Sequence, residues 1–255
     1  MTLKPVQGNG GDRDAGTVAV IPAYNDAATV ADVARRAAAY CPVIVVDDGS
    51  TDDTPAVLAG APATVLRNTA NSGKAASLWR GFEHALEQGA ERVLSLDADG
   101  QHAPEEIPRL LAAAAEQPER IIIASRSIGR EQTPPLRLFA NRMANFWISW
   151  AAGYPIADTQ SGFRLYPANV LRRVRVPTDR SRGFVFESEM LIEAARRGVR
   201  VLSVPIQAIY HEDRRPSHYR AAADTLRIIR MVAWKLIRRG SYPQGLYRSL
   251  TEKPE

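Results

Sequence analysis

Short β-rich runs alternate with alanine-rich segments through the first half of this 255-residue chain. The β-rich runs predict strands, and the alanine-rich segments between them have helical spacing. Strands are predicted over 17–21, 43–46, 64–66, 92–96 and 121–124, and helices over 27–40, 74–88 and 104–116. This alternation predicts an α/β fold with an open, Rossmann-like, mostly parallel sheet flanked by helices.

Composition divides the chain into three segments. Residues 1–16 are rich in Gly, Asn and Asp and lack apolar periodicity, which predicts a disordered leader. Residues 17–210 are predicted to form the α/β domain, whose length fits one unit or two closely fused halves. Residues 211–255 are predicted to form a basic extension of amphipathic helices.

The cysteine content and the apolar segments limit the cellular location. The single cysteine, Cys41, excludes an intrachain disulfide. The N-terminus has no charged-then-apolar signal segment, and the longest uncharged stretch, 143–157, is shorter than the ~20 apolar residues of a spanning helix. We therefore expect a cytoplasmic protein whose chain does not cross a membrane.

Unusual residues follow every predicted strand. They lie at 22–25, 47–50, 68, 97–101 and 125–126. In open parallel sheets, ligands bind beyond the carboxyl ends of the strands. The sequence therefore predicts that one edge of the sheet is the active edge.

Two aspartates in the segment VLSLDADGQHAPE are the strongest chemical signal. Asp97 and Asp99 are two residues apart at a strand end, so an extended chain points their side chains the same way. Mutual repulsion favours a cation such as Mg²⁺ or Mn²⁺, which can also bind phosphate oxygens. The alternative is structural: Asp97 caps the strand, and Asp99 with Gly100 makes a turn before the next helix.

Two common nucleotide-binding folds are excluded by spacing. No glycine-rich turn follows the first strand, so the dinucleotide-binding fingerprint is absent. The segment ending at Lys74 lacks the earlier glycine of a Walker motif, where Asn68 stands. It also lacks the hydroxyl residue that would follow the lysine, where Ala75 stands.

Six segments in order resemble one known family. They read VIPAYN, VVDDGSTDDT, NSGKAASL, SLDADGQHAPE, ASR and DTQSGFRLYP. Over residues 17–206 the chain resembles family 2 glycosyltransferases of GT-A fold, in the branch of dolichol-phosphate mannosyltransferase and other polyprenyl-phosphate glycosyltransferases. The resemblance implies that residues 17–210 are a GT-A domain.

The resemblance also implies a donor site and a metal site. The donor would be a nucleotide-sugar, either GDP-mannose or a UDP-hexose. The predicted donor-binding residues are Pro22, Tyr24, Asn25, Asp48, Lys74 and Asp97. The predicted ligands of Mg²⁺ or Mn²⁺ are Asp97, Asp99 and Gln101, and His102 is either a further ligand or a neighbouring core residue.

Catalytic and acceptor residues are implied in the second half of the chain. The predicted catalytic residues are Asp99, Arg126, Arg137 and Asp158. The predicted acceptor residues are Arg137, Asn141, Arg164, Arg215 and Ser217, with His218 beside them. Glu187 and Glu189 are candidate bases for a hydroxyl acceptor, or they cap and solvate a helix over 188–197.

Two predicted helices favour a membrane surface. The helix over 136–152 carries Phe139, Phe146, Trp147 and Trp150, although an aromatic-rich helix can also be a core helix. Between residues 214 and 239 there are eight Arg or Lys against one acid, Asp224, and Arg227, Arg230 and Lys235 alternate with apolar residues in a helix predicted over 221–237. Such composition suits an anionic bilayer. Nucleic acid is not an expected partner because no recognised nucleic-acid module is present.

The predicted activity is an inverting, metal-dependent transfer of a sugar to a lipid-linked polyprenyl phosphate. We expect a peripheral enzyme at the inner face of the cell membrane. Two alternatives stay open: transfer to a hydroxyl of a glycolipid or soluble acceptor, and a non-catalytic nucleotide- or membrane-binding module.

Overall fold

The computed structural model describes residues 13–128, 135–179, 185–207 and 221–255. Within them the chain forms a single mixed sheet of seven strands. The strands are β1 (Thr17–Ala23), β2 (Val43–Asp47), β3 (Thr64–Arg67), β4 (Arg92–Ser95), β5 (Ile121–Ile128), β6 (Arg164–Pro167) and β7 (Val201–Gln207).

The strand order is β3-β2-β1-β4-β6-β5-β7. Neighbours pair in parallel except β6, which runs antiparallel between β4 and β5. The chain proceeds outward from β1 to β3 and then returns to place β4 on the other side of β1. This reversal opens a crevice beyond the carboxyl ends of β1 and β4, which is where ligands bind in open α/β sheets.

Helices connect and cover the strands. In chain order they are α1 (Val30–Ala37), α2 (Thr54–Leu58), α3 (Lys74–Glu87), α4 (Ile107–Glu116), α5 (Pro135–Ala152), α6 (Ala168–Arg173), α7 (Val185–Arg196), α8 (Ala221–Ile237) and α9 (Pro243–Thr251). The predicted helix over 104–116 begins with a short 3-10 turn, Pro104–Glu106. The α/β fold class is confirmed.

Alternate residues of the strands build two cores. Val18 and Val20 of β1 pack into the cluster that contains α3 and α7, while Ala19 and Ile21 pack into the cluster that contains α1 and α4. The two-residue period of a strand places successive side chains on opposite faces. Both faces of the sheet are therefore buried under helices.

A third cluster joins the C-terminal helices to the domain. Ile148 of α5, Ile192 of α7 and Val232 of α8 are among its buried members. Trp150 of α5 donates its indole N–H to the backbone carbonyls of Ser241 and Tyr242, both at 3.1 Å. Among the described helices, none is long and apolar enough to cross a bilayer. Of the predicted leader, residues 1–16, the first twelve lie outside the described residues.

Candidate active site

The loops after β1 and β2 are tied together by Asn25. Its backbone is left-handed (φ 56°), a conformation that asparagine tolerates better than most residues. Its backbone N–H donates to the Ser50 hydroxyl over 2.9 Å, and its side-chain carbonyl accepts from the Thr51 backbone N–H over 2.8 Å. Half-buried Pro22 and Tyr24 precede it in the same segment. These predicted donor-binding residues therefore lie at the expected edge of the sheet.

Asp48 shapes the loop in front of α3. Its carboxylate accepts from the backbone N–H groups of Ser72 and Gly73, at 2.8 and 2.7 Å, and from the Asn68 side-chain amide at 2.7 Å. Gly73 has a φ of 95°, which glycine adopts without strain. The predicted contact of Asp48 with a base or ribose stays a prediction, since its buried carboxylate is engaged by this loop.

Lys74, the first residue of α3, lies between two carboxylates. Its ammonium is 2.7 Å from Asp97 Oδ1 and 3.3 Å from Glu187 Oε2. Burial disfavours the charged amine, but Asp97 and Glu187 outweigh that effect and raise the pKa of Lys74 above its ordinary value. The lysine therefore stays positively charged beside the end of β4.

Asp97 and Asp99 emerge just beyond β4. Burial disfavours the Asp97 carboxylate, yet Lys74 more than compensates, so the Asp97 pKa lies below its ordinary value. Partial desolvation and repulsion by Asp97 raise the pKa of Asp99 to about 6. The backbone N–H of Gln101 donates to Asp99 Oδ1 over 3.0 Å, which keeps these two predicted metal ligands in one tight turn.

This carboxylate pair fits a divalent cation. Among the described residues, Lys74 offsets the repulsion of Asp99 by Asp97 only in part, and hard divalent cations take carboxylate and amide oxygens. In the described ranges no three His, Cys, Asp or Glu side chains gather as a metal site. The predicted site therefore depends on two carboxylates and the Gln101 amide.

Gly162 leaves the space that Asp97 occupies. A Cβ atom at residue 162 would lie 2.4 Å from Asp97 Oδ2 and 2.9 Å from its carboxyl carbon. Sequence reasoning missed this role, because a glycine required by close approach has no periodic signature. The glycine of the SGFR segment thus belongs to the site.

His102 is a buried neighbour of the pair. It packs against Phe163 with ring centroids 5.5 Å apart, and its Nδ1 has no hydrogen-bond partner among the described residues. Burial is the main reason that the pKa of His102 falls to about 4, so the ring is neutral near pH 7. Of the two predicted roles, its packing supports that of a core residue.

Arg126 and Asp158 form a paired unit at the end of β5. Arg126 Nε and Nη2 donate to the two oxygens of Asp158 at 3.0 and 3.1 Å, and the Arg126 backbone N–H adds a third bond. Burial opposes ionisation of Asp158, but Arg126 keeps its pKa below the ordinary value. The structure brings these two predicted catalytic residues into direct contact.

Helix α5 is fastened to the loop that carries Asp158. Asn145 donates to the Ala157 carbonyl over 2.8 Å and accepts from the Thr159 hydroxyl over 2.7 Å. Sequence reasoning did not single out Asn145. Asn141 lies one turn earlier and is half-buried. The backbone of Arg137 is in the first turn of α5, while its side chain and all of Arg215, Ser217 and His218 lie outside the described residues.

The predicted acceptor role of Arg164 is wrong. Its side chain is fully buried. It donates to the backbone carbonyls of Ser161, Glu187 and Thr159 at 2.7, 2.6 and 2.8 Å. Buried and committed to these carbonyls, the guanidinium has no free face for an acceptor phosphate. It instead ties the loop before β6 to the first turn of α7.

The two candidate bases are both paired with lysines. Glu187 contacts Lys74, and Glu189 lies 2.9 Å from Lys235 of α8. Both glutamates are buried. A base for a hydroxyl acceptor needs access to the reacting proton, so this arrangement does not favour that role for either residue.

Comparison with known families assigns the chain. The family model described as glycosyl transferase family 2 matches residues 18–175, which contain the loops of β1, β2, β4 and β5. The chain belongs to this family. The predicted family membership is therefore confirmed, and the chain is a glycosyltransferase.

Two curated relatives of this family 2 glycosyltransferase are similar over most of its length. Polyprenol monophosphomannose synthase of Mycolicibacterium smegmatis is 33% identical over 202 residues, covering 74% of this chain and 76% of that protein. Undecaprenyl-phosphate mannosyltransferase of Micrococcus luteus is 32% identical over 209 residues, covering 76% and 83%.

Solved structures share the fold at low identity. Glucosyl-3-phosphoglycerate synthase of Mycobacterium tuberculosis, in complex with phosphoglyceric acid, has a TM-score of 0.63 and 19% identity, covering 86% of this chain and 79% of that one. Mannosyl-3-phosphoglycerate synthase of Rubrobacter xylanophilus has a TM-score of 0.62 and 20% identity, covering 88% and 74%. The GT-A fold is confirmed.

Proposed function

We propose that this glycosyltransferase transfers a sugar from a nucleotide-sugar, GDP-mannose or a UDP-hexose, to a polyprenyl phosphate. The observation that carries the proposal is the charge arrangement at one sheet edge. Lys74 contacts Asp97 just beyond β4, and the Arg126–Asp158 pair lies near the carboxyl end of β5, at the same edge of the sheet. The two relatives that cover three quarters of the chain act, by name, on polyprenol or undecaprenyl phosphate.

We assign the binding site of the donor diphosphate to this edge of the sheet. Asp97, Asp99 and Gln101 would hold Mg²⁺ or Mn²⁺, which supplies positive charge against the diphosphate. In M. tuberculosis glucosyl-3-phosphoglycerate synthase, a protein of the same fold, crystals contained both Mn²⁺ and UDP. Lys74 and Arg126 supply further positive charge where the departing diphosphate develops its negative charge.

Transfer requires one bond to form and one to break. An acceptor phosphate oxygen attacks the anomeric carbon from the face opposite the departing diphosphate. The bond between that carbon and the diphosphate oxygen then breaks. The nucleoside diphosphate leaves with the bonding electrons. A phosphate acceptor is already anionic near neutral pH, so the mechanism needs no general base. The pairing of Glu187 and Glu189 with lysines is consistent with that requirement.

We also propose that the enzyme meets its acceptor at the surface of an anionic membrane, on the cytoplasmic face. Exposed apolar side chains lie on three helices: Phe139, Met143 and Trp147 on α5, Ile229, Trp234 and Ile237 on α8, and Tyr247 and Leu250 on α9. Basic residues of α8, such as exposed Arg230, alternate with these apolar ones. Exposed apolar groups among positive charges suit the headgroup region.

The proposal is tested by product formation. The purified chain is incubated with GDP-mannose or UDP-hexoses, Mn²⁺ and vesicles containing polyprenyl phosphate. We expect a glycosylated polyprenyl phosphate, and we expect Asp99→Asn to abolish it while the variant still melts cooperatively. Exclusive transfer to soluble hydroxyl acceptors would refute polyprenyl phosphate as the acceptor. Full activity of Asp99→Asn with unchanged Mn²⁺-dependent nucleotide binding would refute the metal site.

A further inference from the structure

The Lys74 ammonium lies beside Asp97, where a bound metal ion would also place positive charge. Its ammonium contacts Asp97 Oδ1 at 2.7 Å, within the predicted metal pair, and also contacts Glu187. The lysine side chain is only 19% exposed, so water screens this contact weakly. Asp97 is therefore already neutralised by a cation that belongs to the chain.

A divalent ion and the lysine compete for Asp97. A cation bound to Asp97 and Asp99 would lie beside the Lys74 ammonium and be repelled by it. The diphosphate of the donor is negatively charged and can form an ion pair with the lysine ammonium. The backbone before Lys74 is held by the bonds from Ser72 and Gly73 to Asp48, so only the side chain has to move.

We propose that Lys74 is an internal counter-ion of the metal site. It holds Asp97 when no donor is bound and transfers to the diphosphate when the donor arrives, which frees Asp97 for the metal. Glu187 is the positioning residue that keeps the ammonium beside the site in both states. This inference rests on the proposed function, since it assumes that Asp97 and Asp99 bind a metal with the nucleotide.

The test is Mn²⁺ binding without nucleotide, measured by calorimetry on the full chain. Because Lys74→Met removes the competing cation, we expect it to bind Mn²⁺ about tenfold more tightly than the wild type does. The same variant should bind UDP or GDP less tightly. Lys235→Met is the matched control: it also removes a lysine held by two glutamates, Glu189 and Glu193, but away from the site. It should leave Mn²⁺ binding unchanged.

A second measurement uses the unmutated protein. The chain has four lysines, so ¹³Cε-lysine labelling gives few NMR signals, which Lys235→Met helps to assign. Addition of UDP or GDP with Mg²⁺ should shift the Lys74 signal and leave those of Lys235 and Lys253 in place. An unmoved Lys74 signal during nucleotide binding would overturn the inference.

Two failures are distinguishable. If Lys74→Met binds Mn²⁺ no more tightly than the wild type, while the wild type binds Mn²⁺ with nucleotide in an Asp99-dependent manner, then the counter-ion role fails and the metal site stands. If the Asp99→Asn variant keeps the full Mn²⁺-dependent nucleotide binding, the metal site of the proposed function fails instead.

Discussion

Asp158 holds Arg126 by three hydrogen bonds, two to the guanidinium and one to the backbone N–H, although the residues are 32 positions apart. The pair links the end of β5 to the loop that precedes β6. An arginine held in this way has a fixed orientation, which a lysine on a flexible stem does not reproduce. Electrostatic stabilisation of a leaving group depends on such fixed charges.

We expect Arg126→Ala to reduce the transfer rate by about 10²-fold and Arg126→Lys to restore it only in part. Asp158→Asn should also reduce the rate, because the guanidinium loses its charged partner and its fixed orientation. Steady-state kinetics with a saturating acceptor measure the effect. Full activity of the lysine variant would show that the forked geometry of arginine is not needed.

Arg137 is expected to serve the acceptor rather than the donor. Arg137→Ala should greatly reduce transfer to polyprenyl phosphate, while the slow hydrolysis of the donor by water continues unchanged. Parallel assays with and without acceptor separate the two rates. Arg142→Ala, an exposed arginine further along α5, is the matched control and should leave both rates intact. A proportional loss of both rates would contradict an acceptor-specific role.

Membrane binding should combine charge with apolar contact. Co-sedimentation with anionic vesicles should decrease as salt rises, because the Debye length shortens from about 10 Å at 0.1 M to about 3 Å at 1 M. Phe139→Ala and Trp234→Ala should weaken the binding that remains at high salt, since both side chains are more than half exposed. Trp150→Ala should mainly lower the melting temperature, because its indole anchors the turn after α8. Salt-independent binding would contradict the electrostatic part.

Glu193 should make stability depend on pH. Burial opposes its charge, but Lys235 at 2.5 Å and two arginines lower its pKa from 4.5 to about 2. The stabilisation is therefore present above pH 4.5 and is lost as pH falls from 4.5 towards 2. Glu193→Gln should lower the free energy of unfolding by about 1–2 kcal/mol at pH 7 and by less at pH 3.5.

Urea unfolding at pH 7, 5 and 3.5 measures this difference. The exposed Glu116→Gln is the control and should change the free energy of unfolding by less than ~0.5 kcal/mol at each pH. An equal difference between the wild type and Glu193→Gln at all three pH values would show that the ion pair is not responsible.

Gly162→Ala should displace Asp97. The added methyl carbon would lie 2.4 Å from a carboxylate oxygen, so Asp97 has to move. We expect the transfer rate to decrease by about 10²-fold, the order that a misplacement of about 1 Å can cause, together with weaker Mn²⁺-dependent UDP or GDP binding. Gly60→Ala, where no atom lies within 4 Å of the new carbon, should retain both. Unchanged Mn²⁺-dependent binding in Gly162→Ala would refute the role of this glycine.

The sheet was predictable where apolar runs and strand-end residues coincide. β1 to β5 were found because each is a short β-rich run followed by polar residues at the active edge. β6 was not predicted, since it begins with Arg164, whose buried charge no apolar pattern reveals. Its antiparallel direction follows from the path of the whole chain rather than from local sequence.

The site was predictable in its residue types but not in its contacts. The spacing of Asp97 and Asp99 indicated oxygen ligands, because two residues of extended chain share a face. The contact of Lys74 with Glu187 joins residues 113 positions apart, and a single sequence carries no signal of such pairing. Arg164 was misassigned for a related reason: its family motif was visible, whereas its burial depends on carbonyls of the preceding loop and on that of Glu187 in α7, 23 positions away.

The antiparallel placement of β6 has a consequence for synthesis. β4 and β5 are complete after residue 128, but both pair with β6, which begins only at Arg164. Until β6 inserts, each of the two strands presents an unpaired edge, and such edges favour aggregation of incomplete chains. Gly162 and its loop reach Asp97 only with that insertion. Tight donor binding should therefore be acquired in one late step, and a truncated chain ending before β6 should bind no nucleotide tightly.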